Sequence, residues 1–169
     1  MLKSIVITGP ESTGKSAITQ ALASHFSSPW AKEIARDFLE QLNRGYTEED
    51  LHTMARLQME ENSKVLSEGH PICICDTDLL TFIIWWEVKY GSCPQKWVDE
   101  WKENLPDLYL LMDIDLPWEE DPLREHPHQR EELKKRYIDK LESISANYSI
   151  ISGQGSARLA SAIRTIEEL

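Results

Sequence analysis

GPESTGKS, residues 9–16, follows the apolar run LKSIVIT at 2–8 and opens a segment, 15–27, in which Ile18, Ala21, Leu22 and Phe26 recur at helical spacing. Strand, glycine-bounded loop and helix in that order form the setting in which Gly-x-x-x-x-Gly-Lys-Ser cradles a polyphosphate, the P-loop pattern. Main-chain N–H groups ring the phosphates, and the helix N-terminus adds partial positive charge. Gly9 and Gly14 let the backbone turn tightly, Lys15 is placed to reach the β and γ phosphates, and the Ser16 hydroxyl to ligate Mg²⁺. Glu11, Ser12, Thr13 and Ala17 complete the expected ATP site. A glycine-rich turn without a ligand is the competing reading, and the flanking strand and helix argue against it.

Beyond the loop the chain keeps alternating. Pro29–Glu33 reads as a short second strand, followed by helical spacing at Ile34, Ala35, Phe38, Leu39 and Leu42 up to Gly45. Thr47 with Asp50 resembles a capping box, with Asp in the usual Glu place, and opens a long helix running to Gly69. PICIC, 71–75, reads as a strand closed by Asp76, and Leu79–Tyr90 as the next helix. Lys96–Asn104 carries Trp97, Val98 and Trp101 on one side; DLYLLMDID, 107–115, reads as a strand buried on both faces. Pro117–Arg130 is dense in proline, charge and histidine, and so is an exposed excursion. A helix towards Asn147, a strand YSIIS at 148–152, a glycine loop and a closing helix with Leu159, Ala162, Ile163 and Ile166 finish the chain. This alternation predicts an α/β fold: a parallel sheet of about five strands covered by helices on both faces.

The 169 residues suit one domain, 1–169, with an ordinary sizeable core. A formal net charge of −11 argues against a broad nucleic-acid footprint, which needs clustered Lys and Arg. Cys73, Cys75 and Cys93 are an odd number with no signal segment, so a disulfide framework is not expected and a reducing cytoplasm is. The most apolar window, 79–88, contains Glu87 and falls well short of the ~20 apolar residues of a membrane span.

Candidate chemistry gathers where open α/β sheets place it, at the carboxyl ends of strands. Asp76 is a candidate Mg²⁺ and catalytic carboxylate; its bland alternative is a helix N-cap, a role open to Asp78 as well. Glu33 at the same sheet edge is placed to accept a hydroxyl proton, against a first-turn dipole role. Arg36 is a substrate candidate or an intrahelical partner of Glu33. Arg124 and Arg130 in the excursion are candidates for closing over the triphosphate, with a solvated loop as the alternative. His126-x-His128 lacks nearby cysteines, so no structural metal is expected. Of the six tryptophans, most are expected in the core, Trp85 and Trp86 included; Trp30, Trp118 and Tyr90 near loop ends are the candidates for stacking on a substrate ring.

GPESTGKS, EIARDFLE, CDTD, the DIDLPWEEDPLR stretch with Arg130 downstream, and the ISG at 151–153 together resemble the ribosylnicotinamide kinase domain of NadR-like proteins, across nearly the whole chain. The D-x-D-x-P-W-x-x-D-x-x-R pattern is more specific than the P-loop. The resemblance implies a three-layer P-loop kinase fold with strand order 2-3-1-4-5, an ATP–Mg²⁺ site at Gly9–Ser16, a lid over about 117–130, and an adenine-contacting loop at Ser152, Gly153 and onward to Gly155. It further implies transfer of phosphate to the 5′-hydroxyl of nicotinamide riboside, with Glu33, Asp76 and Asp78 facing the nucleoside and metal. Such proteins commonly carry an N-terminal adenylyltransferase domain; here the loop begins nine residues into the chain, so a stand-alone kinase is expected.

Two readings compete. One is an ATP-dependent kinase of a small nucleoside or nucleotide, with no nucleic-acid or membrane partner. The other is an ATPase or nucleotide-dependent regulator whose lid closure signals to another protein. A monophosphate acceptor would require further cations, for which Arg36, Arg44 and Arg56 are the candidates.

Overall fold

A computed structural model describes residues 1–169. The elements follow in the order β1 (Lys3–Thr8), α1 (Lys15–Phe26), β2 (Trp30–Ala31), α2 (Ile34–Glu40), α3 (Glu48–Ser67), β3 (Ile72–Asp76), α4 (Leu79–Tyr90), α5 (Gln95–Glu103), β4 (Leu108–Met112), α6 (Arg130–Ser143), β5 (Tyr148–Ile151) and α7 (Gly155–Glu167). The sheet is parallel in the order β2-β3-β1-β4-β5. β1 lies at its centre, so the loop that leaves Thr8 emerges at the middle of the carboxyl edge.

Alternation along the strands divides the interior in two. Ile5, Ile7, Ile74, Leu108, Leu110 and Met112 face α1 and α7, meeting Ile18, Leu22, Ala162 and Ile166. Val6, Cys73, Cys75, Tyr109 and Leu111 point the opposite way, against α3 to α6, where Met54, Leu80, Ile83, Trp101 and Tyr137 fill the larger core. A strand buried on both faces has no polar alternation to show, which is why LYLLM in β4 reads as a continuous apolar run.

Local chemistry sets the element ends. Thr47 Oγ1 accepts from Asp50 N and Asp50 Oδ2 accepts from Thr47 N at 2.8 Å, so the capping box forms with Asp in the third position. β2 keeps only Trp30 and Ala31 of the expected five residues, because it pairs on one side alone and Glu33 already caps α2. Residues 113–129 contain neither helix nor strand, and Arg130, expected in the excursion, is instead the first residue of α6. No helix is long and apolar enough to cross a membrane.

Candidate active site

The loop after β1 turns through three left-handed residues, Gly9 (φ 134°), Ser12 (φ 57°) and Gly14 (φ 76°). A Cβ at Gly9 would lie 3.0 Å from the Met112 carbonyl oxygen, so glycine is required where the loop crosses the end of β4. Thr13 Oγ1 and Lys15 Nζ both donate to the Pro10 carbonyl, at 2.7 and 2.8 Å. The ammonium thereby lies over the loop that leads into the N-terminus of α1, a helix end of the kind that attracts anions.

This loop forms one wall of a cleft of about 410 Å³. Glu33 and Arg36 of α2, Thr81, Ile84 and Trp85 of α4, Tyr137 of α6, and Glu119, Asp121 and Arg124 of the excursion supply much of the rest. Of the residues singled out from the sequence, Gly9, Glu11 through Ala17, Glu33, Arg36 and Arg124 line this cleft, whereas Asp76, Asp78, Trp118, Arg130, Ser152 and Gly153 do not.

The three candidate carboxylates separate by environment. Asp76 ends β3, is 1% exposed, and accepts from Ser16 Oγ at 2.6 Å. Its other oxygen, Oδ1, is buried without a partner. Burial, with the charge of Glu33 second, pushes its carboxyl up to about 6 against the lowering effect of Ser16 and Lys15. Hydroxyl and carboxylate oxygens side by side form a hard donor set, and an orphaned buried acceptor among them fits Mg²⁺. Asp78, by contrast, is the N-cap of α4: its Oδ1 accepts from Leu80 N at 3.1 Å and its Oδ2 from the Tyr109 hydroxyl. It is 5% exposed and, like Asp76, is not part of the cleft wall; what sets it apart is that both of its oxygens have partners. Of the two acids in DTD, the second is the cap and the first is not.

Glu33 is half-buried and lines the cleft. Arg36 does not pair with it. Arg36 Nη1 donates to Asp121 Oδ2 at 2.9 Å and lies 3.9 Å from Glu40, bridging α2 to the excursion.

The excursion folds back on the loop. Ser12 is the hub: its Oγ accepts from Glu119 N at 2.9 Å and from Arg124 Nη1 at 3.3 Å, and its carbonyl from Arg130 Nη1 at 3.2 Å. Glu11 Oε2 accepts from the His126 main-chain N–H at 3.2 Å and lies 3.6 Å from the imidazole Nδ1; the carboxylate beside the ring raises the His126 pKa against burial. Trp118 is half-buried beneath the Arg130 guanidinium, 5.7 Å from its ring centre, and does not line the cleft. Trp30 is 36% exposed on the edge strand; among the tryptophans it is Trp85, expected in the core, that lines the cleft.

The loop after β5 is tied to the same assembly. Ser152 Oγ donates to Asp113 Oδ2 at 2.7 Å and Gly153 N to Asp115 Oδ2. Burial opposes ionisation of Asp113, yet the bonds from Lys134 and Ser152 hold it at about 2. Arg158, 4% exposed, knits three loops: its guanidinium donates to the Thr13 carbonyl at 2.7 Å, the Asp113 carbonyl at 3.0 Å, the Gly153 carbonyl at 3.0 Å and Asp115 Oδ1 at 2.6 Å. An arginine inside a closing helix gives no sequence signal of this role. Neither do Thr81 and Tyr137, which join the cleft only through tertiary folding, whereas Asp121 belongs to the D-x-D-x-P-W-x-x-D-x-x-R pattern.

A family model described as an AAA domain, AAA_28, matches residues 4–158. The chain belongs to that family. Its fold is P-loop kinase-like, as solved structures confirm. A NadR protein in complex with NR superposes with a TM-score of 0.80 at 20% identity, over 99% of this chain and 51% of that one. Thymidylate kinase from Ehrlichia chaffeensis gives 0.70 at 13%, over 97% and 98%. Deoxyadenosine kinase from M. mycoides with bound dATP gives 0.68 at 17%, over 98% and 99%. The chain spans about half the length of the NadR protein it matches.

Proposed function

We propose that this AAA_28 domain is an ATP-dependent phosphotransferase acting on the 5′-hydroxyl of a nucleoside, nicotinamide riboside first. The observation that carries this reading is that Glu33 shares one cleft with the phosphate-binding loop. The acceptor oxygen attacks the γ phosphorus, the bond from that phosphorus to the β–γ bridging oxygen breaks, ADP leaves, and the hydroxyl proton passes to Glu33. Lys15 and the loop amides balance the charge on the transferring group, and Arg124 and Arg130, already anchored on Ser12, close over it. Ser16 and Asp76 would hold Mg²⁺, which when bound neutralises charge between the β and γ phosphates. Ser152 and Gly153, tied through Asp113, Asp115 and Arg158 to Thr13, are the place for adenine.

An unphosphorylated acceptor is favoured because the candidate cations are committed. Arg36 is paired with Asp121, Arg44 with Asp50, and Arg56 with Glu60. Glu33 puts a carboxylate in the cleft and Trp85 gives it a flat aromatic wall, a combination suited to a cationic pyridinium ring. The NadR protein that the chain resembles in fold was solved in complex with NR. A panel of nucleosides and their monophosphates, assayed for ADP release, tests the proposal. ADP formation only with a nucleoside, fastest with nicotinamide riboside, is expected; release without any acceptor indicates an ATPase, and preference for a monophosphate indicates a nucleotide kinase.

A further inference from the structure

Two side-chain amides of α3 are buried in the larger half of the protein, Gln58 at 0% exposure and Asn62 at 5%. Buried amides must find partners, and these find backbone. Gln58 Oε1 accepts from Ile34 N at 2.9 Å, and Gln58 Nε2 donates to the Lys32 carbonyl at 3.0 Å. Those two groups bracket Glu33. Gln58 Nε2 also donates to Asn62 Oδ1 at 3.0 Å, and Asn62 Nδ2 donates to the Thr77 carbonyl at 3.0 Å. Thr77, left-handed at φ 71°, is the residue after Asp76.

We infer that Gln58 and Asn62 form a positioning ladder that fixes the carboxylate of Glu33 relative to Asp76 and the phosphate-binding loop. The inference rests on the phosphotransfer reading above. β2 holds only two residues in the sheet, so the strand itself gives Glu33 little support. The ladder supplies the missing restraint by tying the β2–α2 turn to the β3–α4 turn through one face of α3. Neither amide lines the cleft, so both act through the backbone they hold.

A double-mutant cycle reads this role. Gln58→Met keeps the side-chain length and removes the ladder bonds; kcat is expected to fall about 100-fold, the order associated with a displacement of about 1 Å at a reacting group, with ATP affinity unchanged. Glu33→Gln is expected to fall by at least that much, and the double variant no further than Glu33→Gln alone, because Gln58 acts through Glu33. Losses that multiply, or normal turnover in Gln58→Met, overturn the inference while leaving the phosphotransfer reading standing. Normal turnover in Glu33→Gln, or no transfer by the wild-type protein, overturns that reading instead. Amide exchange then decides the ladder independently of turnover: the Ile34 N–H is expected to exchange at least tenfold faster in Gln58→Met and also in Asn62→Leu, with β1 amides unchanged. Unaltered Ile34 exchange in Asn62→Leu overturns the coupling between the two amides.

Discussion

Ser16 Oγ donates to Asp76 Oδ2 at 2.6 Å although the residues are 60 positions apart, one in the first turn of α1 and the other closing β3. The bond places a hydroxyl from the start of α1 on a buried carboxylate at the carboxyl edge of the sheet. It also separates chemistry from architecture within DTD, because Asp78, two residues on, spends its oxygens on Leu80 and Tyr109.

Asp76→Asn removes a carboxyl held at about 6 when folded and near 3.8 when unfolded. The folded state of the wild type binds more protons between those values, so this group's contribution to stability falls as pH rises through that window. The melting temperature of Asp76→Asn relative to wild type is therefore expected to increase from pH 4 to pH 7, while turnover at pH 7 is lost. Scanning calorimetry at the two pH values checks the sign.

Asp78→Ala is expected to cost stability rather than nucleotide binding. It removes the α4 cap and the acceptor for the Tyr109 hydroxyl, whose oxygen keeps only the bond from Trp101 Nε1, a combined cost of about 2–4 kcal/mol. Denaturant unfolding measures it, and the protein that remains folded should retain the wild-type affinity for ATP.

Lys15→Ala deletes a charge that contacts only a loop carbonyl, so the fold should be preserved. Turnover is expected to fall by roughly 10²–10³ or more, as when one donor to a developing charge is removed. Steady-state kinetics beside circular dichroism makes the comparison.

Arg158→Lys keeps a positive charge but cannot reproduce four bonds from one planar fork. KM for ATP is expected to rise about tenfold, with KM for the acceptor little changed. Trp85→Ala, across the cleft, is expected to reverse that pattern. Kinetics with each substrate varied in turn distinguishes the two.

Much of this was legible from residue order. Gly9 and Gly14 between an apolar run and a helix located the loop, Thr47 and Asp50 announced the start of α3, and the alternation predicted the sheet. What escaped was whatever depends on contacts between distant segments. Glu33 and Arg36 have the spacing of an intrahelical pair, yet Asp121, 85 residues beyond Arg36, takes the guanidinium instead. Trp85 lies in an apolar helix and reads as core; only the packing of α4 beside the loop opens one of its faces to the cleft. Gln58, Asn62 and Arg158 look like ordinary helix-surface residues until tertiary folding buries them. Asp76 and Asp78 could not be ranked from sequence because either can cap a helix, and only the observed cap decides.

The central claim is that the phosphate-binding loop and Glu33 address one reacting pair. A crystal structure with Mg²⁺, a non-hydrolysable ATP analogue and nicotinamide riboside tests it most directly. The account predicts the terminal phosphate beside Lys15 and the ribose 5′-hydroxyl within hydrogen-bonding distance of the Glu33 carboxylate. A nucleoside bound elsewhere, or a triphosphate outside the loop, would contradict it.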